Sequence, residues 1–220
     1  MKLYSGPLSL FTAKVRIALA EKGLEVERIS VGWSLADRYL PHHPEVVRLN
    51  PKAEVPVLVD GDTHVYDSTV ILEYLEDRYP TPPLYPKSAA GRAEARQLEA
   101  TADEIFFPSV WSLIEESFYP EPAEGRDAAR LADAQARLRA EYDRLESQLA
   151  DRLTLCEEGF SVADIGWIVM VNAATTLGAP PGDAHPSVRA WIERMATRPA
   201  VAAELAETRA YVASLFAPTS

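Results

Sequence analysis

The chain has 220 residues, 47% of them hydrophobic, enough for one large core or two modest ones at the ~100–150 residues usual for a domain. Its 33 acidic residues against 22 basic ones leave a formal charge of -11, which repels phosphate backbones and anionic bilayers and argues against nucleic acid or a membrane as partner. A lone cysteine, Cys156, rules out an intrachain disulfide framework, a cysteine-based zinc cluster and a two-cysteine redox centre, and fits a reducing cytoplasm.

Residues 1–4 read as a short strand that Gly6-Pro7 breaks, with no basic and apolar leader ahead of it, so a cytoplasmic location is expected. Residues 12–22 carry Val15, Ala18 and Leu19 at helical spacing, and Gly23 stops that helix. Residues 26–31 alternate as a second strand, and a less regular stretch follows through Trp33, Tyr39 and His43. After Asn50-Pro51, residues 55–59 predict a strand, Asp60-Gly61-Asp62 a hairpin turn and residues 63–66 the returning strand. Asp67-Ser68 then caps a helix through Arg78. The order βαβαββα over residues 1–80 is that of a thioredoxin-like domain, in which the crossover gives a parallel pair and the hairpin an antiparallel edge.

Four prolines between Tyr79 and Pro86 forbid a helix interior or a central strand, so residues 81–86 are expected to link two domains, 1–80 and 87–220. Beyond the linker the pattern is helical, with helices over 89–116, 126–153, 162–176 and 187–197. The fold class is therefore an α/β domain followed by an all-α one. The apolar run 165–174 is shorter than the ~20 residues that span a bilayer and predicts a buried helix. Ser161 and Asp164 stand at capping-box spacing, a structural role.

Ser9-Leu10-Phe11-Thr12 followed by Lys14-Val15-Arg16-Ile17 resembles the start of the first helix in the glutathione transferase family. His43-Pro44-Glu45, Leu49-Asn50-Pro51, Glu54-Val55-Pro56-Val57-Leu58 and the stretch from Tyr66-Asp67-Ser68 to Tyr74-Leu75 continue that likeness in order and spacing. Phe160-Ser161-Val162-Ala163-Asp164-Ile165 is similar to the family's buried capping motif. The pattern is that of bacterial-type, serine-dependent members resembling the theta, zeta and omega classes. The resemblance implies a cytoplasmic homodimeric transferase with a part in detoxification, glutathione as cosubstrate, and no permanently bound cofactor or metal.

It also implies roles. Ser9 becomes the donor to the glutathione thiolate, at a helix N-terminus where backbone N–H groups and the macrodipole favour negative charge; Ser5 stands in reserve. A serine there cannot form mixed disulfides, so a dithiol reductase is disfavoured. Val55, ahead of an expected cis Pro56, would pair with the cysteinyl backbone. Asp67 and Ser68 would hold the γ-glutamyl end, and His43, or His42 beside it, the glycine end. A chain of this charge also needs local cations to hold an anionic tripeptide, for which Lys14 and Lys52 are candidates, while Glu54 departs from a lysine in some relatives. Phe11, Phe107 and Trp111 are expected to meet an apolar electrophile, in a region that also holds Phe106 and Tyr119. Asp103 is read as a solvated residue with a cleft-facing alternative. Isomerase, dehalogenase or ether-cleaving chemistry on the same thiolate stays open, as does an idle binding protein.

Overall fold

The structure, a computed structural model, describes residues 1–119 and 127–217. It divides into two compact units: Met1–Leu84 together with the chain from Pro199 onward, and Tyr85–Arg198.

In the first unit the elements are β1 (Lys2–Ser5), α1 (Leu10–Glu21), β2 (Glu27–Ser30), α2 (Pro44–Leu49), β3 (Val57–Asp60), β4 (Thr63–Tyr66) and α3 (Ser68–Arg78). The sheet runs β2-β1-β3-β4, with β1 and β2 parallel and the other two pairings antiparallel. This is the thioredoxin-like arrangement. Gly23, at φ +64, ends α1 because a left-handed residue there costs glycine nothing. The hairpin turn is Gly61-Asp62 alone, since Asp60 is still paired to Thr63. Strand β3 starts at Val57, two residues later than the pattern suggests, because Pro56 has no N–H for the ladder. Tyr4, Val31, Val46, Leu49 and Val57 pack together as the core on one side of the sheet.

The helical unit contains α4 (Ala89–Thr101), α5 (Phe107–Phe118), α6 (Ala128–Leu149), α7 (Val162–Thr176) and α8 (Pro186–Ala196). The single helix expected over 89–116 is interrupted by a π turn at Ala102–Phe106. Pro108 explains the interruption: its ring excludes the carbonyl four residues back, and a wider turn makes room. Helix α6 ends at Leu149, short of 153, where the Arg152 N–H turns back onto the Leu149 carbonyl; Arg126, its expected start, lies outside the described residues. Helix α7 is buried on nearly every side, as an apolar run of that length should be. Trp167 on α7 meets Phe106 edge-on at 5.1 Å, and Phe106 meets Tyr142 at 5.6 Å. No helix among the described residues is long and apolar enough to cross a membrane.

A further helix, α9 (Pro199–Leu215), is absent from the sequence-based expectations and belongs to the first unit, where it packs on α1. Its alanine-rich sequence buries only Val201, Glu204 and Leu205, too few to write a clear apolar stripe.

Candidate functional site

Register brings several loops to one end of the sheet. Tyr4, Val57 and Tyr66 stand opposite one another across β1, β3 and β4, while Ser5 at the end of β1 faces Ser30 at the end of β2. The turn leaving β1, the segment entering β3, the turn leaving β4 and the loop leaving β2 therefore emerge together. They carry Ser9, Val55-Pro56, Asp67-Ser68 and His43 respectively. The N-termini of α1 and α3 open at the same end, which favours bound negative charge.

Ser9 is the N-cap of α1, its Oγ accepting from the Thr12 N–H at 3.1 Å. A hydroxyl that accepts in this way still has its own proton to donate. Ser5 is buried, and its Oγ accepts from Arg16 Nη1 at 2.8 Å.

The Val55-Pro56 peptide is cis. The loop before it is shaped by buried Asn50, whose Nδ2 donates to the Glu54 carbonyl at 2.8 Å and whose Oδ1 accepts from the Lys52 N–H at 2.9 Å. The Glu54 side chain is exposed. Asp67 holds φ at +73, a backbone state that costs a non-glycine residue roughly 1–3 kcal/mol and so marks a position fixed by its surroundings. The cap of α3 is Asp67 alone, with Oδ1 accepting from the Thr69 N–H at 3.1 Å; Ser68 is the first helical residue and is buried. Lys52 Nζ stands 3.2 Å from Asp67 Oδ2. Lys14, the other expected cation, is wholly enclosed with its Nζ over the Phe11 ring at 5.4 Å, because α1 turns that face inward. Of the two lysines, Lys52 is the exposed one.

His43 caps α2 through Nδ1, which accepts from the Glu45 N–H at 3.2 Å, and its ring lies 5.2 Å from that of Tyr4. His42 is exposed. In the helical unit, Phe107 and Trp111 are half-buried neighbours with ring centroids 6.1 Å apart, and Tyr119 is half-buried too. Phe106 is fully enclosed in the core, while Asp103 is half-buried within the π turn and not on an open solvated face. Ser161 and Asp164 form the capping box of α7: the Ala163 N–H reaches Ser161 Oγ at 3.3 Å and the Ser161 N–H reaches Asp164 Oδ2 at 3.0 Å. Asp164 Oδ1 also accepts from the Leu155 N–H and from the Trp191 indole. Burial pushes the Asp164 carboxyl up against these donors, and it pushes the Cys156 thiol up as well, which keeps that sulfur a poor nucleophile near neutral pH.

Two features of the Ser9 turn have no local signature in the sequence. Arg16 reaches Ser5, Gly6 and distant Glu204 at once. The Tyr39 ring lies so close to Gly6 that a Cβ there would stand 2.5 Å from its hydroxyl oxygen, so a side chain at this position would have to displace that ring.

Comparison with known proteins places this geometry in context. Family models described as the glutathione S-transferase N-terminal domain and the glutathione S-transferase C-terminal domain match residues 3–83 and 103–199. The chain is 30% identical to glutathione S-transferase 3 of Zea mays over 205 residues, covering 91% of this chain and 90% of the relative. It is 41% identical to a stringent starvation protein A homolog of Coxiella burnetii over 118 residues, 53% of this chain and about half, 52%, of that relative's length. Among solved structures, a glutathione S-transferase of Methylobacterium radiotolerans in complex with glutathione sulfonate aligns at 29% identity and TM-score 0.75, covering 93% of each chain.

Proposed function

Because the chain belongs to the glutathione S-transferase family, we propose that it binds glutathione at the sheet end described above and activates the thiol through Ser9. The carrying observation is the Ser9 geometry: its oxygen is occupied by the Thr12 N–H while its proton is available to a thiolate at the positive end of α1. Such a donor lowers the thiol's pKa, and orientation and electrostatics then serve attack on an apolar electrophile without a metal. Val55 offers its backbone to the cysteinyl residue, Ser68 and Asp67 serve the γ-glutamyl end, and His43 the glycine end. Phe11, Phe107 and Trp111 are the proposed contacts of the electrophile. The working form is proposed to be a cytoplasmic homodimer.

Turnover with a model aryl halide and retention on immobilised glutathione test this reading together. Losing a hydrogen bond to a charged group costs about 1.5–3 kcal/mol, so Ser9→Ala should lower kcat roughly 10–100-fold while glutathione affinity changes little. An unchanged rate moves the role to Ser5 or a backbone amide. A second reading, a binding protein without turnover, draws support from the likeness to a stringent starvation protein A homolog, whose name states no transferase reaction. A normally folded chain that is not retained on glutathione and shows no turnover would favour it.

A further inference from the structure

We propose that the C-terminal helix α9 sets the position of the turn carrying Ser9, acting through Arg16 as a positioning residue. This deepens the reading above, on which its catalytic half rests.

The contacts form one continuous chain. Arg16 Nε and Nη2 grip Glu204 on α9 at 2.8 and 2.5 Å, a two-point fork that fixes the plane of the guanidinium. Its remaining arm, Nη1, then points into the turn after β1, donating to Ser5 Oγ at 2.8 Å and to the Gly6 carbonyl at 3.2 Å. That same carbonyl accepts the N–H of Ser9 at 3.3 Å. The Tyr39 ring also packs against this turn, filling the space a Gly6 side chain would need. Both partners of the ion pair are enclosed, at 6% and 5% side-chain exposure. A buried ion pair is a poor way to gain stability, since apolar residues of similar volume often serve as well, but a forked one fixes orientation. Here the orientation delivered is that of the Ser9 turn.

The test compares full-length variants by amide hydrogen exchange without ligand and by ultraviolet titration of the bound glutathione thiolate. Arg16→Lys keeps the charge but lacks the planar fork. The double replacement R16M/E204L keeps α9 packed by apolar contact and removes every link to the turn. Glu207→Gln, which breaks only the exposed pair with Arg28, serves as control. In Arg16→Lys and R16M/E204L, exchange over residues 5–12 should rise about tenfold while α3 amides keep wild-type protection. The midpoint of thiol ionisation should rise by about one pH unit with glutathione affinity little changed. Glu207→Gln should match wild type in both. Wild-type protection of residues 5–12 in a folded R16M/E204L would overturn the proposal, as would faster exchange shared equally by α3. Faster exchange with an unmoved thiol midpoint would refute its catalytic half. Should the wild type not bind glutathione at all, the functional reading fails, and the exchange comparison alone still decides whether α9 holds the turn.

Discussion

Asp60, the last residue of β3, accepts from the Tyr79 hydroxyl at 2.6 Å and the Tyr74 hydroxyl at 2.9 Å, both on Oδ2, which ties the hairpin to α3 and to the residue that caps its C-terminal end. The Tyr79 hydroxyl holds the Asp60 carboxyl below the usual carboxylate range, with partial burial opposing and Tyr74 assisting. A depressed folded pKa contributes stability that is present above the unfolded value near 4 and is lost as pH falls through the folded one. Asp60→Asn should therefore cost about 1 kcal/mol at neutral pH, a modest figure because the group is partly open to solvent. In urea unfolding the gap to wild type should narrow as pH drops below about 4, and a gap that persists unchanged at strongly acid pH would refute this account. At this scale the legible residues were those that act on their own stretch of backbone. Ser9, Asp67 and the pair Ser161 and Asp164 announce caps because the groups they satisfy lie two or three residues away. Arg16 could not be read, because its partner Glu204 lies 188 residues on and nothing near either residue signals the other.

Lys22, just past the end of α1, does for the elements what the caps do for single helices. Its Nζ donates to Glu76 on α3 at 2.8 Å and to the carbonyls of Tyr79 and Pro82 at 2.8 and 2.9 Å. Glu76 in turn accepts the Leu84 N–H, so one buried lysine and one buried carboxylate pin the proline-rich segment to two helices. Removing the cation from such a pair typically costs roughly 3–5 kcal/mol, so Lys22→Met should lower the thermal midpoint sharply. Adding Glu76→Gln to that variant should recover part of the loss, and strict additivity of the two changes would show the pair to be uncoupled. The elements themselves were largely legible. Alternation marked β2, an apolar run and the turn after it marked β3 and β4, helical spacing and glycine marked α1, and the prolines marked the break, since each works through local backbone geometry. The π turn was not, because Pro108 signals only that a helix is disturbed, not which wider turn relieves it. Helix α9 escaped because its buried side is so narrow.

For the molecule as a whole, α9 makes the first unit discontinuous in sequence, since residues from Pro199 onward complete the unit that opens at Met1. A fragment of residues 1–84 would lack Glu204, Val201 and Leu205, so Arg16 would lose its carboxylate partner and the apolar face of α1 beneath α9 would open to water. It should show weak, non-cooperative unfolding by circular dichroism, and a peptide of residues 199–215 added in trans should sharpen the transition. A fragment as cooperative as the full chain would rule this out. The same discontinuity bears on biosynthesis. During translation the four strands leave the ribosome ahead of the helical unit, yet their fold stays unfinished until α9 follows it. The first unit is thus completed only after the helical one has been made, and in that interval the nascent sheet is open to capture by other chains.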